Sequence, residues 1–315
     1  MSCKQYKALS SYKVLPILSL NKFAYCLGVS RVKLEDLVNH LVYCYEPFEK
    51  KTGDKKRVID NPQGLLKEVQ KRINDRILSS IEFPGYVVGG VKGKKPMEHP
   101  RRHINKPVVV TMDVKDCFPS ITNKMIFYIW HKQLGCSSEV ARLATKLTTR
   151  VGHLPLGAST SLALSNLALR PCLERINLIA QSCGFIMGQY VDDLAFSGDK
   201  LPDDFITAVV TEFQKHGFRI NRKKVVVMRS NEPQIVTKKL VNKKVSIPLK
   251  ERNKVRAAMD ALERINIGDR NYVKLYRSVK GRIGNLEEFH PDLASKMIAR
   301  FNMLPEPTKN NDKVI

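Results

Sequence analysis

Apolar residues along this chain fall at helical spacing or in short continuous runs, and most of its elements can be predicted from them. Leu65, Leu66, Val69, Ile73, Ile77 and Ile81 return at helical spacing, with Lys67, Lys71, Arg72 and Arg76 between them. That pattern predicts a helix with one packing face and one basic face. "LNKFAYCLGVSRVKLEDLVNHL" predicts two short helices, the first ended by Gly28 and the second capped by Ser30. A DNA-reading helix-turn-helix shares this layout, but the second helix carries few side chains suited to base edges, so a packing pair is the better reading. "KKTGDKKRVIDNP" predicts a hairpin turning at Thr52-Gly53-Asp54 into a basic strand. "VVVTMD" reads as a buried strand running into a turn, and "GFIMGQYVDDLAFSG" as strand, tight turn, strand. "KKVVVM" and "KKVSIP" predict further strands.

Helices are expected over "NKMIFYIWHKQL", "SEVARLATKLTT" and the long "ASTSLALSNLALRPCLERINLIAQSCG". "DDFITAVVTEFQKHGF" is amphipathic and ends at Gly217, and the chain is helical from about Leu249. "VVGGVKGKKPMEHPRRHINKP" is a Gly- and Lys-rich loop. No internal repeat or low-complexity segment interrupts the series.

Composition narrows the class. A chain of 315 residues can bury one large core or build two to three subdomains. No run of about 18 apolar residues occurs, so no membrane span is expected. The N-terminus "MSCKQYKALSSYKV" lacks a signal-peptide core, which predicts a cytosolic protein. The seven cysteines (Cys3, Cys26, Cys44, Cys117, Cys136, Cys172 and Cys183) are odd in number and form no C-x-x-C. That argues against a disulfide framework and a thiolate zinc site.

Charge changes the picture most. The formal net charge is +24. Residues 50–106 alone carry fifteen Lys/Arg against six Asp/Glu, so the charge belongs to a folded surface rather than a tail. The natural partner is a polyanion, with nucleic acid the commonest. A membrane surface is disfavoured, because no basic amphipathic anchor or lipidation site is present.

Against that basic background, Asp192 and Asp193 stand together inside an apolar run. Buried charges need partners. Asp113 also ends an apolar strand, so two neighbouring strands could gather three carboxylates into a site for hard divalent cations. Two such ions could activate a 3′-hydroxyl and stabilise a leaving pyrophosphate. The plain alternative for the pair is a solvated turn.

These residues carry a resemblance. "VTMDVKDCFPSI" is similar to the first catalytic motif of bacterial reverse transcriptases of the retron and group II intron-like kind, commonly close to "KIDLKDFFPSI". "QYVDDLAFSG" resembles their Y-x-D-D motif, and "GHLPLGASTSLALSNLAL" their L-P-Q-G-x-x-[ST]-S-P-x-x-x-N motif. "GFRINRKKVVV" resembles the following G-x-x-[IL]-N-x-x-K segment, and "KGRIGNLEEFHPDLASKM" a thumb helix pair. The motifs run in the family's order over roughly residues 50 to 300.

The resemblance implies an α+β right-hand polymerase fold of fingers, palm and thumb, with an antiparallel palm sheet. Its expected segments are an N-terminal helical part (1–48), fingers (49–106), palm (107–247, with a helical insertion at 123–150), and a helical thumb with a short tail (248–315). It implies an RNA-directed DNA polymerase using two Mg²⁺. Asp113, Asp192 and Asp193 are the implied metal ligands, with the carbonyl of Val114 beside them. Phe118 matches the aromatic under the nucleotide sugar, where a ring excludes a 2′-hydroxyl. Lys56 and Arg57 fall where a fingers strand supplies cations to the triphosphate. Gly157 would let the backbone approach nucleotide or template closely. Lys224 matches a motif lysine that could protonate pyrophosphate. Lys92, Lys94, Arg101, Arg102 and His103 are the expected nucleic-acid contacts, the last as a partial match to a retron N-A-x-x-H segment.

The implied partners are a structured noncoding RNA serving as template and primer, the RNA–DNA duplex, dNTPs and a separate effector protein. Self-association is open and no membrane partner is expected. The implied setting is the bacterial cytoplasm, in a retron or antiphage defence system. Only "LPEPTKNNDKVI" follows the thumb, so no RNase H, integrase or endonuclease domain is expected.

Several positions depart from the pattern. Leu156 replaces the usual Gln, Leu162 the usual Pro, and Val191 the usual Ala, while the retron V-T-G signature reads "VTK" at Val236–Lys238. The rivals are a non-catalytic RNA-binding scaffold on the same fold and an untemplated or protein-primed nucleotidyl transferase.

Overall fold

The computed structural model describes residues 16–52 and 55–307, so Cys3 and the expected turn residues Gly53 and Asp54 lie outside it. Its contacts divide the chain into two compact units. One comprises Met1–His99 with Val110–Val227, the other Pro100–Val109 with Met228–Ile315.

The first unit opens with α1 (Leu20–Leu27) and α2 (Arg31–Asn39). Ser19 Oγ accepts from Lys22 N at 3.2 Å to start α1. Gly28 ends it in the left-handed region, with its N–H on the last-turn carbonyls. Ser30 caps α2, as expected. The basic hairpin follows as β1 (Phe48–Thr52) and β2 (Lys55–Ile59), antiparallel, with Lys50 opposite Arg57.

α3 (Gly64–Arg76) carries the first part of the expected helical stripe, burying Leu66, Val69 and Ile73, while Ile77 and Ile81 lie beyond its end around a short 3-10 turn. Its basic face is only partly solvated. Arg72 Nη1 donates to the carbonyls of Leu27 and Gly28 at 3.0 and 3.1 Å, and Arg76 Nη1 to that of Cys26 at 2.9 Å. These guanidiniums satisfy orphan carbonyls at the C-terminal end of α1, where positive charge is favourable. The helix-turn-helix segment is therefore a packing pair at this edge.

A short α4 (Glu98–Arg101) precedes β3 (Val108–Asp113), which is buried along almost its whole length. After the single turn α5 (Cys117–Ser120), α6 (Asn123–Tyr128) runs into a π-helical turn at Ile129–Gln133. Next come α7 (Ser138–Thr148) and the 22-residue α8 (Ser161–Ser182), which contains Pro171. β4 (Ile186–Tyr190) and β5 (Asp193–Gly198) form an antiparallel hairpin, followed by α9 (Phe205–Lys215) and β6 (Val226–Arg229). The four-stranded sheet has the order β4-β5-β3-β6. β5 therefore lies beside β3, with Asp193 at its first position and Asp113 at the last position of β3.

The second unit holds a small hairpin, β7 (Ile235–Val236) and β8 (Lys239–Leu240), and the helices α10 (Leu249–Arg264), α11 (Tyr272–Glu287) and α12 (Pro291–Asn302). Its core gathers Met259, Leu262, Tyr272, Val279, Ile283 and Phe301. Arg300 joins α12 to α10 through Asp260 and Glu263, each at 2.6 Å. The strand expected at "KKVSIP" does not form; that stretch contributes one bridge, Leu240 to Ser246. Its apolar side chains are few, and Ile247 is spent on a small cluster with Leu286 and Ala294. The described architecture is α+β with antiparallel pairings, as the sequence led us to expect.

Candidate active site

A cleft of about 1000 Å³ opens in the first unit. Asp113, Val114, Asp192 and Asp193 line it, as do Lys56, Arg57, Phe118 and Lys224. Backbone bonds bring these separate stretches together. Val114 N donates to the carbonyl of Asp192 at 2.9 Å, tying the β4–β5 turn to the end of β3. On the other side of β3, Asn221 N donates to Asp113 O at 2.8 Å and Lys115 N to Arg219 O at 2.7 Å. These bonds dock the segment that carries Lys224.

The two-residue turn Val191-Asp192 connects β4 to β5, with Tyr190 paired to Asp193. Asp192 is thus at the tip, while Asp193 is already a strand residue. Val191 has φ +60°, a costly conformation for a β-branched residue in a place that favours glycine. Three groups brace it. Gln189 Nε2 donates to Val191 O at 2.8 Å and to Asn166 Oδ1 at 3.1 Å. Asn166 Nδ2 donates to Gly89 O at 2.8 Å. A Cβ on Gly89 would lie 2.4 Å from Val191 N, so only glycine lets the loop pack on the turn. Gln189 and Asn166 are both buried, which raises the cost of leaving any of these bonds unmade.

Burial pushes the Asp192 carboxyl above its ordinary range, and the neighbouring Asp113 adds to the shift. Its own backbone N–H, Lys224 and Arg57 oppose it. Lys224 Nζ is ion-paired with Asp113 Oδ1. Beneath them the Cys117 thiol is pushed up to about 12, by burial first and then by Asp192 and Asp113, so it stays protonated. The arrangement is two poorly solvated carboxylates with cations drawn to them. Among the described residues, no group of three or more His, Cys, Asp or Glu side chains converges as a ready-made metal cage.

Comparison with known proteins assigns the chain to a family. Residues 49–255 match the family model described as "Reverse transcriptase (RNA-dependent DNA polymerase)". The chain belongs to the reverse transcriptase family. The Retron Se72 reverse transcriptase of Salmonella heidelberg is 29% identical, covering 59% of this chain and 49% of that protein. The Retron Mx65 reverse transcriptase of Myxococcus xanthus is 29% identical, covering 64% and 52%. The Retron Ec86 reverse transcriptase of Escherichia coli is 28% identical over 66% of each chain. The chain thus spans about half the length of the first two. A solved foamy viral protease–reverse transcriptase in complex with double-stranded DNA is a looser match, 14% identical with a TM-score of 0.48 over 97% of this chain and 50% of its own.

The remaining expected site residues of this reverse transcriptase family member are placed unevenly. Phe118 is half-buried on α5 in the cleft lining. Lys56 and Arg57 are exposed on β2, and Lys56 approaches Glu49 at 3.2 Å. Gly157 has φ +121°, but its close approach is to other protein backbone. A Cβ there would lie 2.8 Å from Asp60 O, and Gly157 is not among the cleft-lining residues. Lys92 and Arg101 are exposed and Arg102 is half-buried. His103 is wholly buried, which corrects its expected contact with nucleic acid. Lys94 is also turned inward. Its ammonium donates to the carbonyls of Val87, Gly85 and Pro84 at 2.6, 3.1 and 3.3 Å.

Sequence reasoning missed one cluster altogether. Asp60 is buried, ion-paired with Arg150, and accepts from Leu156 N at 3.1 Å. Asp60 N in turn donates to Leu156 O at 2.7 Å. Arg150 stacks on the Tyr45 ring at 5.1 Å. This latch fixes the segment carrying Leu156 against the end of β2. Only the "IDNP" after the basic strand hinted at it. Asn166 had a stronger signal, as the terminal Asn of the quoted motif.

Proposed function

We propose that this protein is an RNA-directed DNA polymerase that adds deoxynucleotides in the cleft of the first unit. The observation that carries this reading is the backbone bond from Val114 to Asp192, which ties the Asp192 turn to the end of β3 that carries Asp113, in a cleft also lined by Lys56 and Arg57 of β2. Asp113, Asp192, Asp193 and the carbonyl of Val114 are the groups we assign to two Mg²⁺ ions. Their donors are the hard oxygens that Mg²⁺ takes, and two carboxylates in a poorly solvated place favour added positive charge. Bound ions supply Lewis acidity to nucleophile and leaving group.

The chain's own residues do the rest. Lys56 and Arg57 draw the triphosphate by charge-assisted hydrogen bonds. The Phe118 ring blocks a 2′-hydroxyl and so favours deoxynucleotides. Lys224, ion-paired with Asp113 in the cleft lining, is the group we assign to give a proton to pyrophosphate. We retain fingers (49–106), palm (107–247) and thumb (248–315) as functional segments. Exposed Lys92 and Arg101 fit backbone contacts to an RNA–DNA duplex.

Some relatives are named as retron reverse transcriptases, and to the polymerase reading we add, as part of the proposal, a structured noncoding RNA as template and primer, a bacterial defence setting and a separate effector. No described helix is long and apolar enough to cross a membrane. The rival reading is a non-catalytic RNA-binding scaffold on the same fold, and the intact Asp113, Asp192 and Asp193 speak against it.

Primer extension on a primed RNA template with Mg²⁺ and dNTPs separates the two readings. The Asp192→Ala, Asp193→Ala double variant runs beside the wild type. Extension by wild type alone is the expected result. If neither extends, nucleic acid co-purifying with the protein is sequenced. RNA with attached DNA keeps the polymerase reading, and RNA without DNA supports the scaffold.

A further inference from the structure

We propose that Lys94 is a positioning residue for the turn that presents Asp192, acting through the Pro84–Gly89 loop and not by contact with nucleic acid. The inference rests on the polymerase reading above and adds a residue to its machinery. Lys94 has three ammonium donors, and three loop carbonyls take them: Val87 at 2.6 Å, Gly85 at 3.1 Å and Pro84 at 3.3 Å. All three acceptors lie in one short turn, which Val87 N closes on Pro84 O at 3.0 Å.

The other side of this loop is the support of the Asp192 turn. Gln189 N donates to Tyr86 O at 2.8 Å, and Val88 N donates to Gln189 O at 2.9 Å. The loop is thus an added, parallel edge on β4, bridged at Val87 and Gln189. One residue further on, Gly89 packs on Val191 and accepts from Asn166. Lys94 therefore clips the outer face of the loop whose inner face holds Gln189 and Val191.

Without the ammonium, the carbonyls of Pro84, Gly85 and Val87 must turn to water, and the loop can shift off β4. A small shift at Val191 is passed directly to Asp192. Misplacing a reacting group by about 1 Å can cost on the order of a hundredfold in rate. A lysine acting on phosphate predicts something different, namely weaker RNA binding with a salt slope smaller by about 1.

The experiment compares wild type, Lys94→Met and Lys94→Arg by steady-state extension, by RNA affinity at several salt concentrations, and by amide hydrogen exchange. Lys94→Met keeps the apolar stem and removes the donors. The expected result is a turnover reduced on the order of ten- to a hundredfold, with KM for dNTP, RNA affinity and salt slope unchanged. Lys94→Arg keeps the charge but spreads its donors in a plane, so it stays impaired. Amides of Val88 and Gln189 lose protection in both variants. Unchanged turnover in Lys94→Met overturns the proposal, as does weakened RNA binding that Lys94→Arg restores. If wild type fails to extend any template, the polymerase reading fails separately. Unchanged protection at Val88 and Gln189 then overturns the clip on its own.

Discussion

Two turns in the first unit hold valine in the left-handed region, and they are kept there differently. Val191 (φ +60°) lies between β4 and β5, and Val151 (φ +49°) lies in the tight turn Arg150–His153. Each carries a cost of roughly 1–2 kcal/mol for a residue with a Cβ. Around Val191 the surroundings over-determine the conformation: Gly89 abuts its backbone, Gln189 holds its carbonyl, and Asn166 ties the two together. Around Val151 only the flanks are pinned. Arg150 and His153 exchange backbone bonds at 2.9 and 3.1 Å, Gly152 takes φ +80°, and the Val151 side chain is 82% exposed. Strain braced from three sides beside the half-buried Asp192 carboxylate fits a turn held to present that group. Strain on an unbraced, exposed side chain is a local cost that a better turn residue can remove.

The largest effect is expected at the group the first turn presents. Asp192→Asn abolishes detectable primer extension. The same change raises the thermal midpoint of the metal-free protein, because burial already disfavours the charged form. Melting and extension run on one preparation check both halves, and an active variant would break the comparison.

Next comes the brace. Gly89→Ala puts a methyl 2.4 Å from Val191 N, backbone that cannot give way cheaply. A loss of about 1–3 kcal/mol in stability is expected, with a drop in turnover. Urea unfolding and extension assays measure it. Asn166→Ala removes the acceptor of Gln189 and the donor to Gly89 O. It should cost about 1–3 kcal/mol by leaving buried polar groups unpaired. A double-mutant cycle with Gly89→Ala should be non-additive, since both act on the same turn.

The smallest effect is expected at the second turn, and with the opposite sign. Val151→Asn suits a turn with two positive-φ residues, where Asn-Gly is the favoured pair. A gain of up to about 1 kcal/mol, or a few degrees in thermal midpoint, is expected. No gain would mean that the valine at this position is braced after all.

Capping shows how much of the fold could be read in advance. Gly28, Ser30 and Gly217 were expected to mark helix ends, and they do. The two expected hairpins also form, β1 with β2 and β4 with β5. The strand expected at "KKVSIP" shows the limit: β propensity without a neighbouring strand leaves one bridge. At the site, Asp113, Asp192 and Lys224 could be named from their motifs. The Lys224–Asp113 pairing could not, because it joins residues 111 positions apart.

What this sequence determined by itself is therefore the kind of each element and the residues that carry charge within apolar runs. Both depend on spacing and on neighbours in the chain. Only the tertiary structure decided what the polar groups are spent on. Arg72 and Arg76 close the end of α1, Lys94 clips a loop, His103 is buried, and Asp60 finds Arg150. A lysine bound to carbonyls and a lysine awaiting phosphate have the same letter and the same local pattern. They differ in whether unpaired acceptors lie within about 3 Å once the chain has folded, a property set by segments far apart in sequence.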